Sequence, residues 1–434
     1  MASTQQRPAS GMHEGILKAT EASRTLTEGV HLIPTQGNSL AIETAAGVVV
    51  IDAGPGGRIT EKMIETLRTY TDAPVRAIIY SHGHIGYNTG IPLWLAHGEQ
   101  RGDEPPARIA HERCVPRYTR YRETLGLQFL LNTLQFAHAK PDAVGAALEF
   151  VDPTVTVGDE LTLDDPDRPI VVRAAPSETD DAVMVWLPRQ RILYGGAATP
   201  GSTIPNIGTP LRTLRLTGRW ADTLDTMAGL GADSLVQEFG PVVEGADTVR
   251  AQLTTTARAL RWLRDEVVER MNRGLTDIEI IHELEYPPEL FEQPYMAESY
   301  GARDYIVRDL YREENGWWVT RNPTDLHPAH PDDAAAAVLS AVDPQRVLAR
   351  ARELAEAGEL QLALHVIDLV ALAPGDDPVV DEARRAKAEW CDALTGATAP
   401  FVSRSLYEGS ARLLRNGRTR WSQAPQGVHS LPEP

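Results

Sequence analysis

The chain has 434 residues, 42% hydrophobic and 24% charged, which is long enough for two or three domains with sizeable cores. Its net charge of −18 excludes nucleic acid and an anionic membrane surface as main partners, because both need a basic face. An anionic small molecule in a locally basic pocket remains compatible with that charge.

The opening residues MASTQQRPASGMHEG lack the apolar core of a signal peptide, and no stretch approaches the roughly 18 apolar residues of a membrane span. The sequence therefore reads as cytoplasmic. Cys114 and Cys391, far apart, give neither a disulfide framework nor a cysteine-rich zinc site. Residues 1–28 read as a polar lead-in with a short helical piece around Glu14 to Thr25. Strands and helices then alternate from Val30 to about Gly240. Leu40 to Gly56 reads as a hairpin turning at Ala46-Gly47, with strand Val48 to Ile51 followed by Asp52 and a glycine-rich turn. A helix follows over Ile59 to Tyr70.

Val75 to Tyr80 is a continuous apolar run, the pattern of a strand covered on both faces. It ends in a polar loop, and α/β folds place ligands at such C-terminal strand ends. The loop carries His82 and His84, and in extended chain two imidazoles one residue apart can reach one metal ion. Next come a helix from Leu93, a strand Arg108 to His111 and a helical region Pro116 to Ala139. A sheet-like block follows, with strands Phe150-Val151, Val155 to Val157, Glu160 to Leu163, Ile170 to Ala174, Ala182 to Leu187 and Ile192 to Gly196. Helix Leu211 to Leu230 and strand Ser234 to Phe239 complete it.

After Asp247 the pattern is helical: Val249 to Arg273, Thr276 to Leu284 with Thr276 and Glu279 at capping-box spacing, and Asp304 to Glu314. Pro331 to Gly358, Gln361 to Leu372, Asp377 to Leu394 and Ser403 to Leu414 form an alanine-rich helical array. With fewer than three repeats visible, it reads as a dimerisation layer rather than a repeat array. The tail from Asn416 to Pro434 is polar and reads as disordered.

The order of hairpin, helix and His strand, with His82-Gly83-His84 after it, resembles the metallo-β-lactamase superfamily, whose motif is His-x-His-x-Asp-His. The resemblance implies an α/β fold, an αββα sandwich followed by an all-α dimerisation domain. Gly86 and Tyr87 stand at the aspartate and last histidine positions, and neither is an ordinary zinc ligand. Ser299-Tyr300-Gly301, Tyr311 to Trp318 and Asn322-Pro323 are similar to the alkylsulfatases of that superfamily, where a helix entered by Tyr-Gly ends in a Gly-Trp-aromatic step and an Asn-Pro. Glu353 to Leu372 and Tyr407 to Leu414 resemble that family's dimerisation domain, which implies a homodimer. The family's further sterol-carrier-like domain is not expected within this chain.

By the same resemblance, Ala175-Pro176-Ser177-Glu178 supplies the glutamate of the first metal, so His82, His84 and Glu178 form one metal site. The second metal is expected to be lost: Gly86, Tyr87, Gly196 and the Glu238-Phe239-Gly240-Pro241 segment replace its ligands. Asn206 and Arg212 match a sulfate-holding pair, with the spacing changed by one residue, and Tyr305 stands where a histidine is expected. A planar guanidinium such as that of Arg212 suits an anionic oxygen group.

Two histidines and a carboxylate around zinc support hydrolysis of a sulfate ester or related anionic substrate. Around Fe(II) the same set is the facial triad of oxygenases. Without a metal, Tyr87, Glu178 and Glu238 leave acid–base catalysis or mere binding. The leading expectation is a mononuclear, zinc-dependent, alkylsulfatase-like hydrolase, with Tyr87 and Glu238 beside the vacated second site. The best alternative is a diverged tailoring enzyme. The expected organisation is lead-in 1–28, metallo-β-lactamase-like domain 29–247, helical connection 248–330, dimerisation domain 331–415 and tail 416–434.

Overall fold

Val48 to Ile51 and Val75 to Ile79 are uninterrupted β-branched and apolar runs, and in the computed structural model they form the centre of a sheet buried on both faces. The structure describes residues 22–136, 144, 145 and 147–423. The first sheet has seven strands in sequence order: β1 (Arg24–Thr27), β2 (Val30–Pro34), β3 (Asn38–Thr44), β4 (Gly47–Ile51), β5 (Val75–Ile79), β6 (Ala107–His111) and β7 (Val155–Val157). β1 to β4 run antiparallel and β4 to β7 parallel. Helices Gly57–Tyr70 and Ile91–Arg101 make the crossovers that parallel neighbours require.

Alternation along the strands sorts the two faces. Val49, Ile51, Ala77 and Ile79 point toward a second sheet, while Val48, Val50 and Ile78 pack under the helices with Met63, Leu67 and Trp94. The second sheet has the order β13 (Val243–Glu244), β12 (Ser234–Gln237), β11 (Ile192–Gly196), β10 (Val183–Leu187), β9 (Ile170–Ala174), β8 (Glu160–Leu163). Its Val172, Val183, Val185, Tyr194 and Val236 close the inter-sheet core. Helices Thr217–Gly229 and Ala246–Asn272 follow in the chain.

The expected sandwich is present, with local corrections. Residues 24–27 are an edge strand, not the end of a helix, and the rest of that helical expectation lies mostly outside the described residues. Phe150-Val151 is not a strand; Phe150 stacks on Tyr118 and Tyr121 instead. Val155–Val157 joins the first sheet, beside β6, rather than the second. The region 116–139 breaks at Thr124 into Cys114–Glu123 and Leu125–Gln135, and 137–139 lie outside the described residues. The helix expected from Leu211 starts at Thr217.

The described residues divide into two compact units, 22–128 with 144–316 and 129–136 with 317–423. The first holds both sheets and the helices to Asn315 except most of Leu125–Gln135, and includes the capping box at Thr276 and Glu279. The second holds helices Pro331–Ala341, Pro344–Glu356, Leu360–Ala371, Pro378–Ala397 and Phe401–Arg415. Pro331 to Gly358 is two helices, because Asp343 caps a new one and Pro344 occupies its first turn. In the tail, Trp421–Gln423 form one helical turn and 424–434 lie outside the described residues. Both cysteines are free and buried. Among the described residues, no helix is long and apolar enough to cross a membrane.

Candidate metal centre

Asp52 follows β4 in the left-handed region, φ 59, which aspartate tolerates better than most residues. Its Oδ1 accepts from the Ser81 backbone N–H at 2.8 Å and from Asn88 Nδ2 at 3.2 Å, and its Oδ2 from Tyr194 at 3.3 Å. The start of the His loop is thereby tied to the end of the neighbouring strand. The Ser81 carbonyl accepts from Val183 N, which fixes the same residue to the second sheet. Burial raises the Asp52 carboxyl to about 6 against the lowering effect of these hydrogen bonds.

Ser81 Oγ lies 2.9 Å from His82 Nδ1. This turns His82 Nε2 away, and that atom is buried with no hydrogen-bond partner among the described residues. Nε2 lies 3.9 Å from Glu178 Oε2 and 4.0 Å from Glu238 Oε1. His84 Nδ1 lies 3.2 Å from the same Glu178 oxygen. Glu178 comes from the turn between β9 and β10, closed by Ser177 N to Thr179 O at 3.0 Å.

The two Glu178 oxygens face different neighbours. Oε2 faces the histidines, while Oε1 accepts from Asn206 Nδ2 at 2.5 Å and pairs with Arg215 at 3.0 Å. Burial alone would raise this carboxyl, but His84 and Arg215 on its two sides outweigh burial and hold it well below the usual range. Burial pushes both imidazoles down, His82 strongly, so they are neutral at pH 7. Neutral imidazoles and an ionised carboxylate are the protonation states a divalent metal requires. The donor atoms of His82, His84 and Glu178 all lie within 4.8 Å of one another. With the unpartnered Nε2 aimed at the group, these residues fit a metal ion.

Residues 32–237 match the metallo-beta-lactamase superfamily, and residues 276–417 match the alkyl sulfatase dimerisation family. The chain joins a metallo-β-lactamase domain to an alkyl sulfatase dimerisation domain and is homologous to alkylsulfatases. A linear primary-alkylsulfatase of Pseudomonas sp. is 28% identical over 69% of this chain and 59% of its own length. An (R)-specific secondary-alkylsulfatase of Pseudomonas sp. is 25% identical, covering 88% of this chain and 60% of that protein. The alkyl/aryl-sulfatase BDS1 of Saccharomyces cerevisiae is 23% identical over 88% of this chain and 61% of its own. This chain thus spans about 60% of the length of the curated relatives it matches. The solved stereoselective inverting sec-alkylsulfatase Pisa1 of Pseudomonas sp. shares the fold, with TM-score 0.79 and 21% identity over 91% of this chain and 66% of that one.

The remaining sequence-expected residues are distributed as follows. Tyr87 donates a short hydrogen bond to Glu238 Oε1, and its ring lies 4.3 Å from that of His82. Burial, reinforced by the Glu178 charge, raises the Glu238 carboxyl well above its ordinary range, and burial also raises the Tyr87 hydroxyl. Burial thus works against charge on either member of the pair. Gly86 turns the chain with φ 88, a conformation that strains most side chains. Arg212 is half-buried on the segment carrying Arg215, and burial lowers its guanidinium, with Tyr300, Tyr121 and Arg215 among the groups acting on it. Tyr305 is buried on helix Arg303–Asn315, with its carbonyl against Gly208.

Sequence reasoning missed Arg215, Asp52, Ser81, Asn88 and Thr209. Only Arg215 left a signal, a second arginine three residues after Arg212.

Proposed function

We propose that the chain is a sulfatase-like hydrolase in which His82, His84 and Glu178 hold a single divalent metal, zinc before iron. The carrying observation is His82 Nε2, buried and unpartnered among the described residues, beside His84 Nδ1 and Glu178 Oε2. Zinc bound there supplies a Lewis acid that lowers the pKa of water to about 7. The Ser81 hydroxyl at Nδ1 holds the His82 ring in the orientation that points Nε2 toward His84 and Glu178. The substrate class, a sulfate ester or related anionic ester, rests on homology to alkylsulfatases and on Arg212, whose planar fork suits an anionic group. Tyr87 and Glu238, hydrogen-bonded to each other, stand beside the position a second cation would take. The alkyl sulfatase dimerisation domain supports a homodimer.

A second reading is metal-independent acid–base chemistry at Tyr87 and Glu238, favoured by their contact with His82. One experiment separates the two: metal per chain by elemental analysis on protein purified without chelator, for wild type and His82→Ala/His84→Ala, together with sulfate release from an alkyl sulfate before and after chelation. The proposal expects about one metal per chain, lost in the variant, with turnover lost on chelation. Turnover that survives chelation supports the second reading. Two metals per chain refutes the mononuclear site, and none refutes the hydrolase.

A further inference from the structure

Asn206 is matched by resemblance to a residue that holds a substrate's sulfate, yet its side-chain amide is engaged within the protein. Nδ2 donates to Glu178 Oε1 at 2.5 Å, and Oδ1 accepts from the Thr209 hydroxyl. The Glu178 carboxylate only accepts, so it fixes Nδ2 as the amide atom facing it and leaves Oδ1 to accept from Thr209. The Asn206 carbonyl accepts from the Arg215 guanidinium, which also pairs with Glu178 Oε1. Asn206, Thr209 and Arg215 are all buried.

We propose that Asn206 is a positioning residue for Glu178, held by Thr209, and not primarily an anion-binding group. Its amide occupies one carboxylate oxygen and so directs the other, Oε2, toward His82 and His84. A carboxylate left free to rotate inside the cavity would share its charge between both oxygens and lose orientation at the metal. Partners of this kind are worth 10–100-fold in metal affinity in other sites. Arg215 supplies charge, whereas Asn206 supplies direction. This inference rests on the proposed metal-binding reading of His82, His84 and Glu178.

The test is zinc affinity, measured by competition with a chromophoric chelator on the full chain, for wild type, Asn206→Leu and Thr209→Val, with circular dichroism to check folding. Positioning predicts zinc binding weakened at least 10-fold in Asn206→Leu and several-fold in Thr209→Val. Thr209→Val keeps its shape and serves where Asn206→Leu fails to fold. Unchanged zinc affinity in the folded variants overturns the inference, and does so most clearly where Asn206→Leu raises only KM for the anionic substrate. Wild type that binds no zinc overturns the metal reading and this inference together; wild type that binds zinc with unaltered variants overturns this inference alone.

Discussion

The hydroxyl of Tyr87 and the carboxyl of Glu238, 151 residues apart in the chain, form a partly buried hydrogen bond against the ring of His82. Burial is the main cause that raises both groups above their ordinary ranges. Tyr87→Phe removes the donor and leaves the Glu238 carboxyl without it. The expected loss is about 1–3 kcal/mol in urea unfolding, the usual cost of orphaning a buried polar group. Glu238→Gln, which can still accept from Tyr87, should cost less. An unchanged unfolding midpoint in Tyr87→Phe would mean that the hydroxyl finds no partner in the folded protein.

Arg215 and Glu178 are a buried ion pair at 3.0 Å. Arg215→Met leaves the carboxylate with the neutral donor Asn206 but no cation. Removing one member of a buried pair typically costs about 3–5 kcal/mol, so the metal-free variant should unfold at markedly lower urea. Adding Glu178→Gln removes the uncompensated charge and should recover part of that loss. A double variant no more stable than Arg215→Met would place the arginine's contribution elsewhere, for instance in the hydrogen bond its guanidinium gives to the Asn206 backbone carbonyl.

Much of this arrangement was legible because its signals are local. The β-branched runs at Val48 to Ile51 and Val75 to Ile79 have no other plausible environment than a doubly covered sheet. The spacing of His82 and His84, together with the family resemblance at the Ala-Pro turn before Glu178, pointed to three residues whose donor atoms the fold brings within 4.8 Å of one another. Arg215 was hidden because Leu211 to Leu216 reads as the start of a helix that in fact begins at Thr217, and a side chain's partner across 37 residues is a tertiary fact. The same holds for Val155–Val157, whose pattern announces a strand but not which sheet it joins. The break at Asp343-Pro344, by contrast, was written in the sequence as an N-cap followed by proline, and the run of alanines before it masked the signal.

Asp52 gives a pH prediction. Its carboxyl is raised from an ordinary 3.8 to about 6, mainly by burial. Between those values the folded protein holds a proton that the unfolded chain has released. Its contribution therefore favours the fold at low pH and is lost as pH rises toward 6 and beyond. Two pKa units correspond to about 3 kcal/mol. Asp52→Asn cannot lose a proton, so its stability relative to wild type should improve by about that amount between pH 4 and pH 7. A pH-independent difference between the two proteins would show that Asp52 is already ionised at pH 4.

Gly83, the residue between the two histidines, has no room for a side chain. A Cβ there would run into Asp181 Oδ2, come within 2.8 Å of Arg117 Cδ and touch Cys114 Sγ at 3.3 Å. Arg117 cannot easily yield, because its Nε donates to Asp181 Oδ1 at 2.9 Å and its fork also pairs with Asp180. Overpacking of this kind costs about 1–3 kcal/mol. Here the strain would be relieved by moving the backbone that carries His82 on one side and His84 on the other. Gly83→Ala should therefore weaken zinc binding by at least 10-fold while lowering stability by about 1–3 kcal/mol. Gly83→Ala/Asp181→Ala removes the nearest obstacle and should regain part of the zinc affinity, although Arg117 is then left with Asp180 as its carboxylate partner. If Gly83→Ala binds zinc as wild type does, the His loop can shift without disturbing its donors, and the close packing of Asp181 against it serves stability rather than the metal.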